Sequence, residues 1–264
     1  MKAETIVING AATEYFSFGH GKRDMVILSG LSTRSILYAA MTIASGYSIF
    51  NEDYRVWVID RRKVMPPAFG VRDMAADIAA VMQALGIRDA DVFGASLGGM
   101  TAQYLAIDHP ELVHALVLGS TTACCNPTIG RVALRWAEEA EQGTLAENTE
   151  EMMRLLYSPS TLAKYGPMLY RINDGLTEDE LRRFAVQARA ITGFDARGEL
   201  EGIGCPTLVI GVEGDKVVTT EASRELAEIL GCGCHIYGSG YGHCVFDEAP
   251  DYKRRLYEFF KSTV

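Results

Sequence analysis

From the N-terminus to about Thr122, two hydrophobic periods alternate along the chain. Short β-rich runs at Thr5–Ile8, Thr13–Phe18, Met25–Leu28, Arg55–Ile59, Asp91–Phe93 and Ala115–Leu118 are bounded by Gly, Asp or Asn, as strands should be. The last four are almost wholly apolar, which suits strands covered by helices on both faces. Between them, Val71, Met74, Ala75, Ile78, Val81, Met82 and Leu85 recur at helical steps, and Gly86 stops the helix they predict. A further helix is expected over Leu97–Asp108, with Met100, Tyr104 and Ile107 on one face and Pro110 just past its end. Strand–helix–strand alternation implies a parallel sheet with right-handed crossovers.

From Cys124 to Arg197 the strand signal vanishes and helical periodicity runs throughout. Thr177-Glu-Asp-Glu180 before Leu181 reads as a capping box. The acidic residues Glu138, Glu139, Glu141, Glu147, Glu150 and Glu151 read as a solvated helix face that disfavours anions at a cleft mouth. After Gly204 the first regime returns, with strands expected at Thr207–Ile210 and Cys234–Tyr237 and helices at Thr219–Leu230 and from about Ala249 to Lys261. The expected organisation is therefore one α/β core, residues 1–123 and 198–264, interrupted by a helical cap at 124–197.

Composition narrows the function classes. The 25 Lys+Arg and 34 Asp+Glu give a net charge of −9, and no basic run is present, which argues against nucleic acid and anionic membrane surfaces as partners. With 48% hydrophobic residues the chain can bury a sizeable core and is not a disordered polymer. No stretch is long and apolar enough for a membrane span, and Met1–Gly10 lacks a secretory pattern, so a cytoplasmic setting with reduced thiols is expected. Cys232-Gly-Cys234-His235 matches no usual zinc spacing, and neither a metal nor a cofactor is expected. The expected partner is a small-molecule substrate, with homodimerisation left open.

The chemistry centres on Asp91-Val-Phe-Gly94-Ala-Ser96-Leu-Gly98-Gly99-Met100, a G-x-S-x-G between an apolar strand and a helix. In that context the sharp turn lifts a serine hydroxyl above the sheet at a helix N-terminus, where backbone amides face developing negative charge. A nucleophilic Ser96 needs a base and an orienting acid, which this architecture orders Ser, then Asp/Glu, then His. Of the five histidines only His243, in Gly238-Ser-Gly-Tyr-Gly-His243, lies in a loop after the last expected strand. The acid should follow the preceding strand in Val209-Ile-Gly-Val-Glu213-Gly-Asp215; Asp215 is preferred at the loop tip and Glu213 is the fallback. For the oxyanion, one donor is the Leu97 amide. The second lies in Ser29-Gly30-Leu31-Ser32, with Leu31 preferred over Ser32.

These motifs, with Asp60-Arg61, His109-Pro110 and Gly242-His243, resemble the α/β-hydrolase superfamily over essentially the whole length. The resemblance is to capped haloperoxidase-like esterases, enol-lactonases, proline iminopeptidases and C–C bond hydrolases. It implies a mostly parallel eight-stranded sheet with helices on both faces and a helical cap after strand 6. It also implies Ser96 as nucleophile, His243 as base and Asp215 as its orienter. Most such relatives carry His-Gly in the oxyanion loop; here Ser29 stands in the histidine's place, so the loop's supporting hydrogen bonds must differ.

The expected reaction is acyl transfer on a small to medium hydrophobic carboxylic ester or lactone. Pocket candidates are Ser32, Arg34, Thr121, Trp136, Met153 and Tyr157, and the whole Thr121–Cys125 segment is expected at the cleft. A lyase or C–C bond hydrolase on the same triad, and a non-catalytic small-molecule-binding signalling protein, are the alternatives.

Overall fold

The computed structural model describes residues 2–263. Its eight strands are β1 (Lys2–Ile8), β2 (Ala11–Phe18), β3 (Arg23–Leu28), β4 (Tyr54–Ile59), β5 (Ala90–Ala95), β6 (Val113–Gly119), β7 (Thr207–Val212) and β8 (Gly233–Tyr237). They form one sheet in the order β1-β2-β4-β3-β5-β6-β7-β8. Only the β1–β2 and β2–β4 pairings are antiparallel; every pairing from β4 to β8 is parallel. The β1–β2 hairpin turns on Asn9 and Gly10, both at positive φ, the geometry that matches the twist of paired strands.

The all-apolar strands bury both faces, as their lack of alternation anticipated. Val26, Leu28, Val92, Leu116 and Leu118 join one core with α2 (Val71–Leu85), α3 (Leu97–Asp108) and α8 (Thr220–Leu230). Their neighbours Met25, Ile27, Phe93, Ala115 and Val117 join a second core on the opposite face with α1 (Ala40–Gly46) and α10 (Tyr252–Ser262). The hydrophobic pattern predicts no element between Leu28 and Arg55, yet α1 and its flanking 3-10 turns lie there, held by buried Tyr47 and Phe50. The closing helix begins later than expected. Pro250, which has no amide to donate, separates the short α9 (Val245–Glu248) from α10.

Between β6 and β7, in the segment expected to be the cap, the chain forms four helices: α4 (Pro127–Glu141), α5 (Thr149–Leu156), α6 (Pro159–Leu169) and α7 (Glu178–Thr192). Asn126 caps α4 by accepting from the Thr128 and Ile129 amides, and Thr177 with Glu180 forms the expected capping box on α7. The apolar faces of α4 and α7 pack against each other and merge with the α2–α3 core, so the cap is continuous with the domain beneath it. No helix among the described residues is long and apolar enough to cross a membrane.

Candidate active site

Ser96 sits at the β5–α3 junction with φ 52° and ψ −119°, a strained conformation for a residue with a side chain. Two glycines make that turn possible by leaving no Cβ where backbone must pass. A Cβ at Gly94 would lie 2.5 Å from the Gly98 carbonyl oxygen, and one at Gly98 would lie 2.0 Å from the Leu28 oxygen at the end of β3. The Ser96 amide donates to the Gly119 carbonyl at 2.9 Å, and its own carbonyl accepts from Gly99 at 2.9 Å and Met100 at 3.1 Å. The hydroxyl is left free to point out of the turn.

Two long connections deliver its partners. The loop after β8 places His243 Nε2 at 3.1 Å from Ser96 Oγ, and the loop after β7 places Asp215 Oδ2 at 2.8 Å from His243 Nδ1. The second Asp215 oxygen accepts from the Val217 and Val218 amides at 2.8 and 3.0 Å. All three side chains are buried. Burial alone would raise the Asp215 carboxyl; His243, its hydrogen bond and the two amides outweigh it and hold the group below the ordinary carboxylate range. Asp215 therefore stays ionised and fixes the imidazole with Nε2 facing the serine. Glu213 is exposed and takes no part. The other histidines are engaged elsewhere: His20 with Glu52, His109 with Glu111, His114 with Asp89, and His235 edge-on to Tyr237.

The β3 loop closes over this constellation. Gly30 lies against Ser96, where a Cβ would come within 3.4 Å of the Ser96 Cβ. Leu97 opens α3, so its amide is one of the donors a helix leaves without an internal partner, and Leu31 lines the cavity above Ser96. Support for this loop comes from a group the sequence reading did not assign. The Arg61 guanidinium donates to the Ser29 and Gly30 carbonyls and to Gln187 Oε1 of α7, the last at 2.9 Å. Gln187 Nε2 in turn donates to the Ser32 carbonyl at 3.3 Å. Arg183, one turn earlier on α7, donates to Asp60 Oδ1 at 2.6 Å, and Asp60 also accepts from the Arg61 and Ile36 amides. Burial pushes the Arg61 guanidinium down to about 10, with Asp60 opposing, so it remains charged near neutral pH.

A cavity of about 500 Å³ opens from Ser96 and His243 to the cap. Ser32, Arg34, Trp136, Met153 and Tyr157 all line it, together with Tyr38, Met152, Phe184, Phe246 and Asp247. Arg34 ties the loop to the cap through the Ile172 and Asp174 carbonyls and Glu180. Ser32 Oγ is buried without a hydrogen-bond partner among the described residues.

Thr121 is corrected: it does not line the cavity. Ser120, at φ 43°, turns the chain inward after β6, so Thr121 donates its hydroxyl to the Ser96 carbonyl at 2.8 Å and fills the space beside Gly99. Cys124 and Cys125 likewise lie off the cavity wall, Cys124 bridging to Asp195 and Cys125 donating its amide to Phe194. The cap glutamates do not line its mouth either. Glu139 and Glu151 pair with Arg135, Glu141 with Arg189 and Glu150 with Arg154, so three arginines offset about half of the acidic run in place.

A mostly parallel sheet, a strand–serine–helix turn, and a carboxylate and a histidine on the loops after β7 and β8 define a class of α/β protein with a serine-centred site. The chain belongs to the alpha/beta hydrolase fold family, whose model matches residues 26–250. It is 30% identical over 200 residues, 71% of this chain and 75% of the relative, to a protein of Pseudomonas syringae pv. syringae (strain B728a) provisionally named carbamate hydrolase RutD. It is 31% identical over 202 residues, 66% of this chain and 68% of the relative, to a 2-hydroxy-6-oxononadienedioate/2-hydroxy-6-oxononatrienedioate hydrolase of Pseudomonas sp. The enol-lactonase from Burkholderia xenovorans LB400 shares the fold, with a TM-score of 0.83 at 22% identity over 98% of this chain and all of that one.

Proposed function

We propose that the protein is a serine hydrolase of small to medium, largely apolar carboxylic esters or lactones. The observation that carries this reading is the hydrogen-bonded chain Ser96 Oγ–His243 Nε2 and His243 Nδ1–Asp215 at 3.1 and 2.8 Å, at the wall of a cavity of about 500 Å³. His243 takes the Ser96 hydroxyl proton as the oxygen bonds to the substrate carbonyl carbon. The Leu97 and Leu31 amides receive the oxyanion. His243 then returns the proton to the departing alcohol oxygen as its bond to carbon breaks. A water deprotonated by His243 releases the acid and restores Ser96.

Ser32, Trp136, Met153 and Tyr157 shape the acyl or alcohol pocket in this reading, and the relatives' names describe hydrolysis in each case. Six free cysteines fit a cytoplasmic setting. The test is a panel of chromogenic esters, lactones and thioesters against wild type and Ser96→Ala. Turnover should fall by at least about 10⁴-fold in the variant with the fold intact. Undiminished turnover would refute the assignment of Ser96.

A further inference from the structure

The cavity wall carries one basic and one acidic side chain besides His243, Arg34 and Asp247, and they are not equivalent. Arg34 is consumed by the cap: it donates to the Ile172 carbonyl at 3.2 Å, the Asp174 carbonyl at 2.5 Å and Glu180 at 3.5 Å. Asp247 is exposed to the cavity, and its one side-chain hydrogen bond is from the Tyr157 hydroxyl at 3.4 Å. The Asp247 amide donates to the Cys244 carbonyl at 2.8 Å, which fixes it one turn beyond His243. The cation whose field reaches it, Lys253, has its ammonium on the Phe246 carbonyl and makes no ion pair with it. Glu248 beside it adds further negative charge.

The cavity that Asp247 lines is rich in aromatic side chains: Tyr157 reaches the carboxylate itself, and Tyr38, Trp136, Phe184 and Phe246 line the same space. A carboxylate without an ion-pair partner in an apolar cavity attracts a cation and repels an anion, and aromatic faces add to the attraction for a cation. Burial raises the Asp247 carboxyl above the ordinary carboxylate range, against the field of Lys253 and the Tyr157 hydrogen bond.

We propose that Asp247 and the aromatic wall beside it form a cation subsite, so that the substrate cleaved at Ser96 carries an amine or quaternary ammonium group. This rests on the hydrolase reading above and names its substrate class. Asp247 then sets specificity: it acts on binding, and the chemistry at Ser96 proceeds without it.

Two arms test this. In the first, calorimetry compares binding of butyltrimethylammonium with that of uncharged 3,3-dimethylbutanol, in wild type and Asp247→Asn. Wild type should bind the cation at least about tenfold more tightly, and the variant should lose that margin. In the second, kcat/KM is compared for butyrylthiocholine and its neutral isostere 3,3-dimethylbutyl thiobutyrate. Wild type should favour the cationic ester by about tenfold, chiefly through KM, and Asp247→Asn should erase the preference. Equal binding of the two probes by wild type, or an undiminished preference in the variant, overturns the proposal. If neither ester is hydrolysed, the acyl-transfer reading fails, and the calorimetric arm still decides whether Asp247 recognises a cation. Should Asp247→Asn not fold, the charge discrimination of wild type decides alone.

Discussion

Arg61 donates to the Gly30 carbonyl at 3.1 Å, and through that contact a core residue just past β4 grips the loop that carries Leu31 into the cavity it shares with Ser96. The same guanidinium reaches Gln187 on α7, so the loop, the sheet and the cap share one buried polar network. Such a network is costly to leave half-satisfied.

Replacing Arg61 by methionine should therefore strand the Ser29 and Gly30 carbonyls and Gln187 Oε1. We expect a loss of about 3 kcal/mol in urea-induced unfolding. Ester turnover should fall by about 10- to 100-fold, mainly in kcat, because the loop no longer holds the Leu31 amide in place. Arg61→Lys keeps the charge without the planar fork and should fall between the two. Full activity in Arg61→Met would show that the loop holds itself.

The turn beneath Ser96 makes a harsher prediction. At Gly98 an added methyl would sit 2.0 Å from the Leu28 carbonyl oxygen, which is backbone in the middle of the sheet and has nowhere to move. Gly98→Ala should fail to give soluble folded protein, whereas Gly86→Ala, whose Cβ would meet nothing within 4 Å, should fold with a smaller loss from its positive φ. Near-native circular dichroism and unfolding for Gly98→Ala would contradict the observed packing of α3 on β3.

How far the sequence alone reached follows from the range of each interaction. The G-x-S-x-G turn is local, so Gly94, Ser96 and Gly98 could be read from five consecutive positions. His243 and the Asp215 loop were legible because strand order constrains where such residues fall, and the choice between Glu213 and Asp215 waited for their exposure. The helical cap was visible in its periodicity, but which aromatic side chains faced the cavity was not, since Trp136 and Phe184 satisfy a cap core equally well. Thr121 was misplaced because adjacency to a strand end does not encode the positive φ of Ser120 that turns it inward. Arg61 and Gln187 are 126 positions apart, and no local pattern couples them.

Asp215 gives a prediction with a definite sign in pH. Its folded carboxyl lies below its ordinary value, so its stabilising contribution is fully present above about pH 4 and is lost as pH falls through the lower folded value. Asp215→Asn should be less stable than wild type at neutral pH, and the gap should narrow on acidification below about pH 4. Urea midpoints across that range measure it; a gap that widens on acidification would contradict the sign. The same variant should lose about 10⁴-fold in kcat, because asparagine no longer fixes the imidazole in the reactive tautomer.

The loop carrying His243 is held from the cap side by Glu248. One Glu248 oxygen accepts from the Ser158 amide at 3.0 Å and the Ser158 hydroxyl at 2.6 Å, and the other accepts from the Gly242 amide. The Cys244 amide adds a bond to the Leu156 carbonyl at 2.8 Å, and Gly242 passes so close that a Cβ there would lie 2.5 Å from that same carbonyl oxygen. The imidazole is thus referenced to the start of α6 as well as to Asp215. Glu248→Gln turns an acceptor oxygen into a donor that must face an N–H or the hydroxyl, so one side of the bridge opens. We expect kcat to fall by about tenfold with KM nearly unchanged, and thermal unfolding to shift by only a few degrees. Ser158→Ala removes only the hydroxyl and keeps the amide bond, and should cost less. Combined with Glu248→Gln it should add little further, since the two variants break the same bridge. Fully additive losses in kcat would mean that Ser158 and Glu248 act on His243 by separate routes.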